Sequence, residues 1–377
     1  MTFKSTVTRL LAASALAATV LAPVSAQVTA SASQAAPDPK PLVFGTWGVD
    51  LASRDTTLRP GDDFADYAWG KWLRTTEIPG DQASAGVDYD VYNLTNDQLR
   101  AVVTQAPSTS QVGALYASFM DEAAVERAGY TPIVRDVRAI GAIANKSAMA
   151  RFMGKSLGGF GMSPFGPGVD ADTANPRINA LWLGQAGLGL PERDYYLLDG
   201  FKPQRDAYVA FIQRTLQAVG VDDPAGKAAQ IMALETEIAK VSWPAADRRD
   251  LSKINNPMSS AQLARYAPGF DWASFWAGAG IRPQQRIIVN EKTAVRDIAA
   301  IMGRTPLDTL KAWEQFHAAY QASPYLSKWF VDSRFEFLRT LSGVSAQRPR
   351  WKRGLALVDA SLGELAGRTY SERFFGA

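Results

Sequence analysis

Apolar positions recur every three to four residues along most of the chain, the spacing of helices that bury one face. This rhythm predicts helices over residues 91–103, 112–127, 132–143 and 147–157, each punctuated by proline or glycine. It resumes over 203–219 and 224–241, and the second helix stops before Trp243-Pro244 because proline disfavours helical backbone in the residue ahead of it. Thr305-Pro306 reads as an N-cap followed by proline at the first helical position, opening a helix that reaches Ala322. Residues 158–168 (GGFGMSPFGPG) are too glycine-rich for a helix, while 178–183 (INALWL) fit a strand and 286–290 (RIIVN) a second one. The expected fold class is therefore mainly α: a multi-helix domain with a small β-hairpin or sheet element.

The last segment, 347–375, sets Trp351, Leu355, Val358, Leu362, Leu365 and Tyr370 on one helical stripe that continues to Phe374 and Phe375. Periodicity says that this face is buried, and leaves open whether its own domain or a partner covers it.

The first 26 residues carry a different pattern. Lys4 and Arg9 supply a positive flank, residues 10–21 an apolar core, and Val24-Ser25-Ala26 a small-residue cleavage site, which together read as a secretory signal peptide. The apolar core is shorter than the roughly 20 residues that span a bilayer, so no membrane span is expected after cleavage. Residues 27–44, rich in Ala, Ser, Gln and Pro without period, read as a flexible lead-in. A periplasmic or secreted protein follows.

Composition narrows the chemistry. With 47% apolar residues in 377, the chain can bury a large core, which excludes disorder as its class. The formal charge of +3 falls to +1 once Lys4 and Arg9 leave, and no basic run remains to attract nucleic acid or an anionic membrane. The absence of cysteine removes disulfides, thiolate zinc ligands and thiol nucleophiles together. The single histidine, His317, cannot build a catalytic zinc site, which draws on two or three imidazoles or on imidazole with thiolate and carboxylate. It is expected to have a structural or solvent-facing role.

Other motif-like strings read as structure. Gly154-Lys155-Ser156-Leu157-Gly158 fits the G-x-S-x-G pattern of a hydrolase nucleophile, but that pattern needs a strand before it and a helix after it, and here the order is inverted. Gly158 reads instead as a helix C-cap glycine. The glycines of 184–189 (GQAGLG) match no phosphate-binding spacing, and Pro191 stands where a phosphate-binding helix would begin, so a structural turn is expected. Asp62-Asp63 and Glu235-x-Glu237 read as caps and solvated faces. Asn93-Leu94-Thr95 is a glycosylation sequon only in a glycosylating host. No residue of the chain is assigned a catalytic, cofactor-binding or metal role on these grounds.

Particular strings then point to a family. Arg59-Pro-Gly-Asp-Asp-Phe64, continuing through Tyr67 to Gly70-Lys71-Trp72-Leu73 and Ile78-Pro79, resembles the opening of the neprilysin and endothelin-converting-enzyme zinc metallopeptidases. Residues 183–197 (LGQAGLGLPERDYYL) resemble the family's central string, and that likeness is highly specific. Asn256-Pro257-Met258, 267–272 (APGFDW), Phe335-Glu336-Phe337, 347–352 (QRPRWK) and Leu362-Gly363 with Tyr370 and Phe374 follow in family order. The resemblance implies that 45–377 form the helical N-terminal domain, one wall of a chamber that admits short peptides to a zinc site. It places the zinc ligands and general base on a later H-E-x-x-H helix and a further glutamate, neither of which this chain contains. The arginine that some animal members carry shortly after the Ile-Pro string is replaced here by Ala85 or its neighbours. The expectation is thus a bacterial-type member truncated before its catalytic half. It would bind no cofactor and be inert by itself, partnered by short peptides and by a separately encoded catalytic half. The alternative is a stand-alone peptide-binding or partner-binding module.

Overall fold

Asp63 accepts a hydrogen bond from the N–H of Asp66 at 2.9 Å and so opens the first α-helix, α1 (Phe64–Thr75). The structure, a computed structural model, describes residues 38–40, 42, 48 and 50–375. The signal peptide and most of the lead-in lie outside the described residues. After α1 come α2 (Val87–Gln105), α3 (Gln111–Met120), α4 (Glu122–Ala128), α5 (Thr131–Gly141) and α6 (Lys146–Lys155). The helix expected over 112–127 is in fact two, because the Asp121 side chain takes the N–H of Ala124 at 2.9 Å and starts a new helix in mid-pattern.

Strands β1 (Phe165–Ala171) and β2 (Asn179–Gln185) form the hairpin, antiparallel with Phe165 opposite Gln185 and Ala171 opposite Asn179. Then follow α7 (Asp194–Leu197), α8 (Lys202–Ala218), α9 (Pro224–Val241), α10 (Leu251–Ile254), β3 (Asn256–Met258), α11 (Ser260–Tyr266), α12 (Trp272–Gly278) and β4 (Ile287–Val289). The sheet order is β1-β2-β4-β3, with β4 parallel to β2 and β3 antiparallel to β4. The sheet element is therefore larger than a hairpin. Its third strand carries no readable alternation, being three residues with Pro257 in the middle.

The chain closes with α13 (Lys292–Arg304), α14 (Leu307–Ala322), α15 (Lys328–Ser342) and α16 (Arg350–Phe374). Helix α14 does not begin as expected. Pro306 itself is the N-cap, with extended backbone (ψ 140°), and the Thr305 hydroxyl donates back to the carbonyl of Ile301 at 2.8 Å instead of capping forward.

The main core gathers α8, α9, α14 and α15 around rings such as Phe211 and Phe337, stacked with centroids 5.1 Å apart. A satellite core answers the question left by the C-terminal stripe. Leu355 and Val358 of α16 bury against Val103 of α2 and Val112 and Tyr116 of α3, with Trp351 and Leu362 packed at its margin. The chain's own helices cover most of the stripe, and its far end, Leu365 and Phe375, stays exposed. Helix α16 bends at Leu362, whose φ of −138° is not helical.

Candidate functional site

Trp313 and His317 stand one helical turn apart on α14, so both point the same way into the core. There they meet Glu235 of α9, whose side chain has no solvent exposure. Glu235 Oε1 accepts from Trp313 Nε1 at 2.9 Å and from the Tyr208 hydroxyl of α8 at 3.2 Å, and lies 2.8 Å from His317 Nε2. Its Oε2 accepts from the Tyr196 hydroxyl of α7 at 2.6 Å and from the N–H of Gly189 at 3.1 Å. Four helices and one loop thus converge on a single carboxyl group. Five donors at good distances are what a buried carboxylate requires. Burial, reinforced by the Glu235 charge, holds the Tyr196 and Tyr208 hydroxyls well above the ordinary phenol range, so both remain donors. No water reaches this group, so it positions the fold and has no access to a substrate.

The loop that feeds it is the glycine run of 184–189. The N–H of Gln185 donates to Glu291 Oε2 at 2.9 Å, and the Gln185 side chain brackets the backbone of Trp243. Gly187 adopts φ +94° to turn the chain. At Gly189 a Cβ would fall 1.8 Å from the Tyr208 hydroxyl, so only glycine lets the backbone reach Glu235. The run is a structural turn, with the N–H groups of Gln185 and Gly189 spent on carboxylates of the chain itself and that of Ala186 on the carbonyl of Pro164.

A second buried acid lies on the same helix. Glu314 Oε2 accepts from the N–H of Met162 at 2.9 Å, while Oε1 has no partner. Burial pushes this carboxyl well above the ordinary carboxylate range, against the smaller opposing effect of the Met162 bond. It is therefore the neutral acid that pins the glycine-rich segment before β1.

The hydrolase-like string resolves as helix packing. Ser156 is buried and its hydroxyl donates to the carbonyl of Met153 at 2.8 Å, while His317 is engaged by Glu235. Gly154 is needed because α12 passes so close that a Cβ would meet the carbonyl of Phe275 at 2.0 Å. Gly158 is not the expected C-cap: α6 ends at Lys155, Ser156 is its cap, and 156–158 continue as a short 3-10 turn. Asp63 is a cap as expected and Glu237 is solvated, paired with Lys240 at 2.7 Å. Glu235 departs from that expectation, being the most enclosed carboxylate of the network. Asn93 and Thr95 both lie within α2.

The family model for peptidase family M13 matches residues 60–377, most of the chain. The chain belongs to peptidase family M13. Among curated relatives, mouse endothelin-converting enzyme 1 is 25% identical over 351 residues, covering 86% of this chain and 45% of its own length. Rat endothelin-converting enzyme-like 1 is 24% identical with the same coverage. Among solved structures, the zinc metalloprotease Zmp1 of Mycobacterium tuberculosis in complex with an inhibitor superposes with a TM-score of 0.82 at 31% identity, over 87% of this chain and 52% of Zmp1. PepO of Lactobacillus rhamnosis shares the fold, with a TM-score of 0.73 at 18% identity. The chain spans about half the length of these M13 relatives, and it corresponds to the family's N-terminal region.

In this M13 chain the family strings are structural clamps. The 183–197 string supplies Gly189 and Tyr196 to Glu235, and Arg193 Nε reaches the carbonyl of Ala239 at 3.3 Å. Asn256 ties β3 to the carbonyls of Val289 and Asn290, and Trp272 Nε1 donates to the carbonyl of Ala267 at 2.8 Å. Zinc belongs to the complete M13 enzyme, as the name of the Zmp1 relative says. The residues here do not fit it: among the described residues no group of three or more His, Asp or Glu could hold a metal ion. His317 has one ring nitrogen on Glu235 and the other, Nδ1, buried without a partner. Among the described residues, no helix is long and apolar enough to cross a membrane.

Proposed function

We propose that the chain is the non-catalytic, chamber-forming N-terminal domain of an exported zinc metallopeptidase that acts on short peptides. In this reading it is inert until it meets a catalytic half. The observation that carries the reading is the superposition on about half of a zinc metalloprotease at a TM-score of 0.82, by a chain without a metal-holding group among its described residues.

A second feature supports a missing partner surface. On α1, the segment after it and the start of α2, Phe64, Trp69, Leu73, Ile78 and Val87 are each more than half exposed. Soluble monomers rarely show apolar side chains so concentrated in one sequence segment unless a neighbour covers them. A catalytic half is the neighbour that the family supplies. Export to the periplasm or medium belongs to the same proposal, and rests on the pattern of residues 1–26.

The test is zinc content and peptidase activity of the purified mature chain, alone and after addition of a family catalytic half as a separate polypeptide. The expected result is no zinc and no cleavage alone, with chelator-sensitive cleavage of short peptides in the mixture. One tightly bound zinc and cleavage by the chain alone would overturn it.

A further inference from the structure

Arg334 of α15 and Arg353 of α16 line one cavity of about 530 Å³, together with Arg348 from the segment between the two helices. Among the described residues none of the three is in an ion pair: Arg348 donates to the Tyr92 hydroxyl, Arg334 lies across the Tyr320 ring, and Arg353 Nε donates to the carbonyl of Arg348 at 3.2 Å. The carboxylate that shares the cavity, Asp81, is already bound by Lys352 at 3.0 Å, and both side chains are largely withdrawn from water. Arg334 Nε and Arg353 Nη1 are buried and have no hydrogen-bond partner.

These cations are kept where charge is costly. Burial is the chief influence that lowers the Arg353 guanidinium's hold on its proton, the positive charge of Arg350 adds to it, and Glu122 and Asp332 act only weakly the other way. A charge drawn out of water without a counter-ion costs several kcal/mol, roughly, unless something else compensates it. Around the arginines the wall is apolar, built by Phe119, Phe335, Leu338, Leu341 and Leu357. Such a cavity lies in the size range of small-molecule sites, with few polar groups on an apolar lining. Its buried polar atoms without a partner are both guanidinium nitrogens, set in a lining that also holds Asp81, Ser342 and Gln347. Planar guanidinium forks match a carboxylate, and the apolar wall asks for a bulky hydrocarbon beside it.

We propose that this cavity is a binding site for an organic carboxylate attached to a large apolar group, with Arg334, Arg348 and Arg353 receiving the anion and the α15–α16 wall the hydrocarbon. Two sources carry that chemistry, the C-terminal residue of a peptide and a free arylalkyl acid. The proposal rests on these residues and does not depend on the zinc-peptidase reading.

Calorimetric titration of the full mature chain tests it with two pairs of probes. One pair is acetyl-alanyl-phenylalanine and its C-terminal amide, and the other is phenylpropionate and its amide. Binding of an acid without binding of the matching amide is the expected result, and the acid that binds identifies the source. Arg353→Gln and Arg334→Gln should each weaken the acid about ten- to a hundredfold, the worth of a charged hydrogen bond. Arg348→Gln, in the segment between the helices, provides a third variant that leaves α15 and α16 themselves unaltered and gives up the bond to the Tyr92 hydroxyl of α2. Should acid and amide bind equally, or should neither bind to the folded chain, the proposal is overturned.

Discussion

Glu235 and His317 meet at 2.8 Å, Oε1 to Nε2, with neither side chain exposed to water. The pair is the centre of a five-donor carboxylate on which α7, α8, α9, α14 and the Gly189 loop converge. Removing the carboxyl orphans every donor at once. Glu235→Ala should destabilise the domain by about 3–5 kcal/mol, and Glu235→Gln by somewhat less, since the amide oxygen still accepts from part of the ring while its N–H groups oppose the remaining donors. Urea denaturation followed by tryptophan fluorescence measures it. A loss below about 1 kcal/mol for Glu235→Ala would remove the network from the account of this fold.

Glu314 makes stability depend on pH in the direction opposite to most carboxylates. Its folded-state pKa is raised by burial above the ordinary 4.5, so the unfolded chain releases this proton first as pH rises. Stability is therefore lost progressively above pH 4.5 until the folded group would itself ionise. Glu314→Gln keeps the bond to Met162 and removes the titration. Its advantage over the parent should grow as pH rises above the ordinary value of 4.5, as read by paired denaturation curves. Equal pH profiles for the two proteins would contradict a buried neutral acid.

Two glycines of similar sequence context should respond oppositely. At Gly189 a Cβ would collide with the Tyr208 hydroxyl at 1.8 Å and crowd His317 Cε1 at 3.0 Å, whereas at Gly158 nothing lies within 4 Å. Gly189→Ala should cost about 1–3 kcal/mol or more, and Gly158→Ala less than about 0.5 kcal/mol. Thermal melting of both variants checks the contrast.

The exposed apolar residues of α1 should govern association and leave folding alone. Phe64 and Trp69 are 69% and 60% exposed, so replacing both by serine should shift the melting temperature little while reducing self-association in sedimentation velocity. If the double variant unfolds, the α1 face is part of this domain's own core, and the idea of a face awaiting a partner fails.

Most helices were legible because their apolar spacing is local: the expected 203–219 and 224–241 helices agree with α8 and α9 to within a residue. The family was legible for a different reason, since strings such as 183–197 are built from glycines and polar residues that each have one fixed partner. What escaped was decided at a distance. Glu235 and Glu237 are two residues apart on one helix and so face opposite sides. Which one is buried depends on Tyr196 and His317, 39 and 82 residues away. The split at Asp121 and the shifted start of α14 escaped because a single side chain chose between two neighbouring backbone groups, a choice invisible to periodicity. The arginines of the α15–α16 cavity carry no motif, and only their shared wall and missing counter-ions mark them.

The satellite core has a consequence for how this molecule is made. Arg350 Nε holds the carbonyl of Phe119 across 231 residues of chain, at the seam where α16 closes over α2 and α3. Those two early helices cannot bury their apolar faces until the last segment has been synthesised, and closing so long a loop is slow. Throughout elongation, α2 and α3 are the segments most in need of a chaperone, and assembly of this region is expected to set the pace of folding.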